Sequence, residues 1–131
     1  DPSIAVALMG TNPQGLLKDF PTFGFLFEDL CARDLRVYAQ ALDGEVYHYR
    51  DKNELECDLV VALRDGRWGA VEVKLGKNEE EDAVKHLIEL SENIDNQRMK
   101  SPSFLMILTA GQYAYRRADG VYVVPIGCLK D

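Results

Sequence analysis

The chain has 131 residues, a formal net charge of −7, 47% apolar and 28% charged residues. That is the size and balance of one globular domain with a real core, and no apolar run approaches the ~20 residues that a helical membrane span needs. Three cysteines, Cys31, Cys57 and Cys128, with no C-x-x-C pair argue against a disulfide framework or a zinc site. They fit a reducing cytoplasm.

The chain opens Asp1-Pro2-Ser3, with no initiator methionine and without the basic region or cleavage site of a signal peptide. Residues 1–22 are therefore expected to be a lead-in from a missing upstream domain, with the domain proper over 23–131. Asn12-Pro13-Gln14-Gly15 and Phe20-Pro21-Thr22 break any long element in the lead-in. Gly10-Thr11-Asn12-Pro13-Gln14-Gly15 has the glycine spacing of a phosphate loop. Leu16 and Leu17 stand where lysine and serine or threonine should be, so it is rejected as a nucleotide site.

Thr22 reads as a helix N-cap. From Phe23 to about Leu42, Leu26, Phe27, Leu30, Cys31, Leu35, Tyr38 and Leu42 recur at spacings of three and four, which predicts an amphipathic helix ended by Asp43-Gly44. Glu45 to Arg50 alternates as a strand does, and Asp51-Lys52-Asn53 is a turn. Residues 54–63 and 68–75 are two further strands, joined by Arg64-Asp65-Gly66-Arg67. Asn78 is a candidate cap for a second helix over about 79–99, with Ala83, Val84, Leu87, Ile88, Leu90 and Ile94 as its apolar stripe. Phe104 to Leu108 is a continuous apolar run, as in a buried strand. Tyr113–Tyr115 and Val121–Val124 around Asp119-Gly120 predict a final hairpin. The order α-β-β-β-α-β, with the hairpin after it, predicts an α/β fold: a mixed central sheet flanked by helices.

The chemistry concentrates on the two strands of the middle hairpin. Glu56 and Asp58 alternate along the first, Glu72 and Lys74 along the second. A hairpin brings Asp58, Glu72 and Lys74 towards one spot. Like charges that close are destabilising without compensation, and a bound cation or Lys74 compensates them. An alternative account of Glu72 and Lys74 is an exposed cross-strand pair, which contributes roughly 0.2–1 kcal/mol. Asp58 stands in an apolar strand, where a carboxylate needs solvent or a partner. Glu56 is expected to be solvated. His48 and His86 have no ligand partner at helical or hairpin spacing and are expected to be structural. Tyr47, Tyr49, Trp68, Tyr113 and Tyr115 could stack on bases but fit packing better.

A helix bearing an acid, an aspartate in one strand and Glu-x-Lys on the next resembles the restriction-endonuclease-like PD-(D/E)xK superfamily. Four segments carry the likeness: 25–30 (FLFEDL), 46–50 (VYHYR), 56–60 (ECDLV) and 71–74 (VEVK). Their wording is closest to an uncharacterised C-terminal domain of predicted bacterial and archaeal AAA+ ATPases. The resemblance implies a nuclease-like domain with an α-β-β-β-α-β core, in which Glu28, Asp58 and Glu72 bind Mg²⁺ or Mn²⁺ and Lys74 acts on the nucleophile. It also implies a larger, cytoplasmic, ATP-binding protein whose N-terminal ATPase domain is this domain's partner. DNA is the implied substrate, and ATP would bind only in the missing domain. The charge of −7 favours the alternative, a catalytically inactive docking or regulatory module for DNA or protein, while a third reading is an oligomerisation domain.

Overall fold

In a computed structural model, the structure describes residues 20–50, 55–94 and 100–129. The expected lead-in, including Gly10–Gly15, falls largely outside the described residues, as does the turn at Asp51-Lys52-Asn53.

Helix α1 spans Phe20–Ala41 and α2 spans Glu80–Asn93. Between them run β1 (Glu45–Arg50), β2 (Glu56–Ala62) and β3 (Trp68–Val73). After α2 come β4 (Phe104–Thr109), β5 (Tyr115–Arg116) and β6 (Tyr122–Pro125). The six strands form one sheet in the order β1-β2-β3-β4-β6-β5. It is mixed: β1/β2, β2/β3 and β5/β6 are antiparallel, whereas β3/β4 and β4/β6 are parallel. The α/β expectation holds.

Each helix covers one face of the sheet. Phe27, Cys31, Leu35 and Ala39 of α1 pack on Leu59, Val61, Val71 and Leu108. Ala83, Val84, Leu87 and Leu90 of α2 pack on Val60, Trp68, Ala70, Ile107 and Val123. Alternation along the strands produces the division, because neighbouring residues such as Val60 and Val61 face opposite helices. The periodic stripe of α1 is thus largely right, but Leu26 and Leu42 at its ends are exposed.

The helices differ from the sequence reading at three boundaries, and the two motif strands are shorter than expected, Lys74 falling just past the end of β3. The first helix begins at Phe20, which places Thr22 inside it rather than at its cap. Pro21 does not prevent this, because an N–H in the first turn has no intrahelical partner to lose. Asp43-Gly44 does end α1, with Asp43 in the left-handed region at φ 63°. Gly44 is needed for another reason: a Cβ there would lie 2.8 Å from the Ala62 carbonyl oxygen. The second helix stops at Asn93, not near 99. Ile94 is extended, at ψ 146°, yet still buried in the α2 core, so the apolar stripe runs on past the helical backbone. Its N-cap is Glu79, after a 3-10 turn over Lys77–Glu79 that contains Asn78.

Gly69 sits where β3 meets the first residue of β4, and the Phe104 ring covers it. A Cβ at Gly69 would come within 2.1 Å of that ring. Gly69→Ala is therefore expected to cost about 2 kcal/mol by overpacking, read as a fall of several degrees in Tm. An unchanged Tm would mean that the ring moves aside freely.

Candidate functional site

The antiparallel pairing of β2 with β3 runs from Ala62↔Trp68 to Leu59↔Val71. Beyond it the two strands carry their acids. In the β1/β2 ladder, Tyr47 pairs with Val60 but Tyr49 pairs with Cys57. Asp58 and Leu59 therefore stand opposite His48 alone, which is a β-bulge. Bulges re-aim a side chain and interrupt pairing, and they are common beside functional sites. Here the Asp58 carboxylate replaces a ladder partner: its Oδ2 accepts the Val73 backbone N–H at 3.0 Å.

Glu72 lies on the α2 face of β3, in line with Trp68 and Ala70, and is only 5% exposed. Burial pushes its carboxyl up to about 9, and its hydrogen bond with Asp58 and the Asp58 charge push the same way. Lys74 offsets part of this. Burial beside a second carboxylate therefore biases Glu72 towards its protonated form at neutral pH, as expected of carboxyls too close to ionise together.

Helix α2 adds a group that the sequence reading set aside. His86 Nε2 lies 3.2 Å from Glu72 Oε1 and also contacts the Glu56 backbone carbonyl. Both neighbours are acceptors, so the hydrogen is assigned to Nε2. The signal was there: Asp82 and His86 are four apart and share one stripe of α2. Together with Glu56, Asp58, Glu72 and Lys74 they line a cleft of about 270 Å³.

The Lys74 backbone N–H donates to Leu108 O at 2.9 Å, which fixes the end of β3 against β4. Its ammonium is held only loosely, 3.9 Å from Glu79 in a partly exposed pair. Such a pair contributes little and leaves the side chain able to turn into the cleft.

Glu28 is placed differently. It is half-buried on α1 and borders a separate hollow of about 280 Å³ with Phe25, Leu75 and Glu79. Burial raises its carboxyl above the usual range, and the Asp58 charge adds to this. Asp58 is thus electrostatically linked to both other acids, but only Glu72 shares its cleft. Among the described residues, no group of three or more His, Cys, Asp or Glu side chains is gathered so as to hold a metal ion. Two carboxylates with waters remain a normal donor set for magnesium. Asp58 and Glu72, hard oxygen donors in a polar cleft, fit that set.

Cys31 and Cys57 are buried, and burial pushes both thiols up to about 12, so neither is a nucleophile. Among the described residues no helix is long and apolar enough to cross a membrane. Compared with known proteins, residues 23–129 match a family model described as a domain of unknown function (DUF4143). No curated protein and no solved structure matches.

Proposed function

We propose that this chain, which belongs to the DUF4143 family, is a nuclease-like domain of PD-(D/E)xK type that serves an AAA+ ATPase in a larger protein. The reaction is divalent-metal-dependent hydrolysis of a DNA phosphodiester. The observation that carries this reading is the joined pair Asp58–Glu72 at the end of the β2–β3 hairpin, with Lys74 beside it in one cleft.

When bound, Mg²⁺ or Mn²⁺ would lower the pKa of a water and neutralise charge on the phosphate. Asp58 offers a carboxylate whose aim is set by the Val73 N–H. Glu72, whose carboxyl burial pushes up, must give up its proton to act as an anionic donor. Lys74 holds its positive charge at the cleft, where it orients the attacking water or steadies a phosphate oxygen. Glu28 acts on Asp58 through space, as an outer acid rather than a donor in the same cleft.

The experiment is cleavage of plasmid and oligonucleotide DNA with Mn²⁺ by wild type and Lys74→Ala. The variant is expected to lose about a hundredfold or more in rate, the scale of one positioned group acting on a proton. Its metal binding and Tm should stay unchanged. Cleavage at the wild-type rate by Lys74→Ala would remove Lys74 from the chemistry.

One observation favours a second reading, a non-catalytic docking module of the same ATPase. Glu80, Glu81 and Asp82 make the first turn of α2 acidic next to the cleft, and the whole chain carries −7. Acid of that density repels nucleic-acid phosphates. Metal binding without cleavage of any substrate would select this module.

A further inference from the structure

A second crevice opens where the parallel strands β3 and β4 end, the side of an α/β sheet on which ligands commonly bind. Its volume is about 90 Å³, and Lys74, Thr109, Gln112, Tyr113 and Tyr115 are among its lining residues. We propose that it is a nucleobase subsite, taking one unstacked base of a single-stranded segment next to the scissile phosphate. This deepens the nuclease reading and rests on it for the position of the phosphate.

Three observations carry the assignment. Lys74 borders both this crevice and the acidic cleft, so a nucleotide with its phosphate at Lys74 reaches the crevice with its base. Tyr113 is 77% exposed on the crevice wall, an aromatic face turned to solvent rather than packed. The wall behind it is fixed. Tyr115 donates its hydroxyl to Glu80, and Arg117 pairs with Glu80, with Glu81 at 2.8 Å and with Asp119 at 3.1 Å. The Glu80 carboxylate is therefore held by two partners of its own, with the single Arg117 cation shared among three carboxylates. The Gly111 N–H donates to Thr109 Oγ1 at 3.1 Å, which ties down the loop that carries Gln112 and Tyr113.

The same features select a single strand over a duplex. The crevice is small, about 90 Å³, and a ring can enter it only if it is not stacked in a helix. Duplex DNA also carries the higher charge density, and the acidic first turn of α2 lies alongside. Stacking on tyrosine is tolerant of sequence, because every base has a π-face.

The test is fluorescence anisotropy of a labelled oligothymidylate with the whole chain, in Ca²⁺ and in EDTA, beside a blunt duplex. Single-strand binding is expected to exceed duplex binding, to weaken about tenfold in Tyr113→Ala and to be kept in Tyr113→Trp. Equal affinity of Tyr113→Ala and wild type, a duplex preference, or no single-strand binding would overturn the subsite. Loss of metal binding and cleavage with Tyr113-dependent binding intact would instead sink the nuclease reading and leave the subsite standing.

Discussion

Asp58→Asn should abolish saturable Mn²⁺ binding in a titration calorimeter, weakening it by at least about a hundredfold, while the fold persists. Losing a group that merely supports a ligand already costs about 10–100-fold in metal affinity, and Asp58 is proposed as a ligand itself. The fold should survive for a stated reason. Asparagine keeps an oxygen that can accept the Val73 N–H, the bond now made by Asp58 Oδ2 at 3.0 Å. The variant removes the charge and spares the strand junction. It also removes one cause of the raised Glu72 carboxyl, so Glu72 should ionise more readily in it. If Asp58→Asn binds Mn²⁺ as wild type does, the metal lies elsewhere and Asp58 only braces the end of β3 through the Val73 N–H.

What could be read from the sequence followed the range of the interactions involved. The β2–β3 hairpin and its acids were legible because strand alternation and the Asp65-Gly66 turn are local signals; Gly66 does adopt φ 93°. The two apolar helix stripes were legible for the same reason. The bulge at Asp58 was not, since it exists only in the register of β2 against β1. His86 looks isolated in the sequence because its partners, Glu56 and Glu72, are 30 and 14 positions upstream and meet it only when α2 lies on the sheet. The end of α2 was overrun because buried Ile94 continues the apolar spacing with extended backbone. The first strand of the final hairpin starts two residues later than its sequence pattern suggests: Tyr115–Arg116, not Tyr113–Tyr115, pairs with β6, and Tyr113 is left exposed. That displacement turns an expected packing residue into the candidate stacking face.

Glu72→Gln should raise stability at neutral and alkaline pH and flatten its dependence on pH. The Glu72 carboxyl is pushed from an ordinary 4.5 to about 9, by burial first and by Asp58 second. A raised carboxyl means that the folded chain holds a proton that the unfolded chain gives up. Below about 4.5 both states are protonated and the group's stability is fully present. As pH rises from there to about 9 that stability drains away, at up to ~1.4 kcal/mol per pH unit. Between about pH 6 and pH 8 the loss is then at most ~2–3 kcal/mol. Glutamine keeps the size and a donor for Asp58 but has no proton to lose, so denaturation midpoints of the variant should stay level where those of wild type fall. Parallel curves for the two proteins would show that Glu72 is ionised in the fold. The same proton links stability to the proposed metal. A cation between Asp58 and Glu72 must displace it, so Mn²⁺ affinity of wild type should climb with pH until Glu72 is fully ionised. A site made of exposed, already ionised acids would show no such climb above pH ~6.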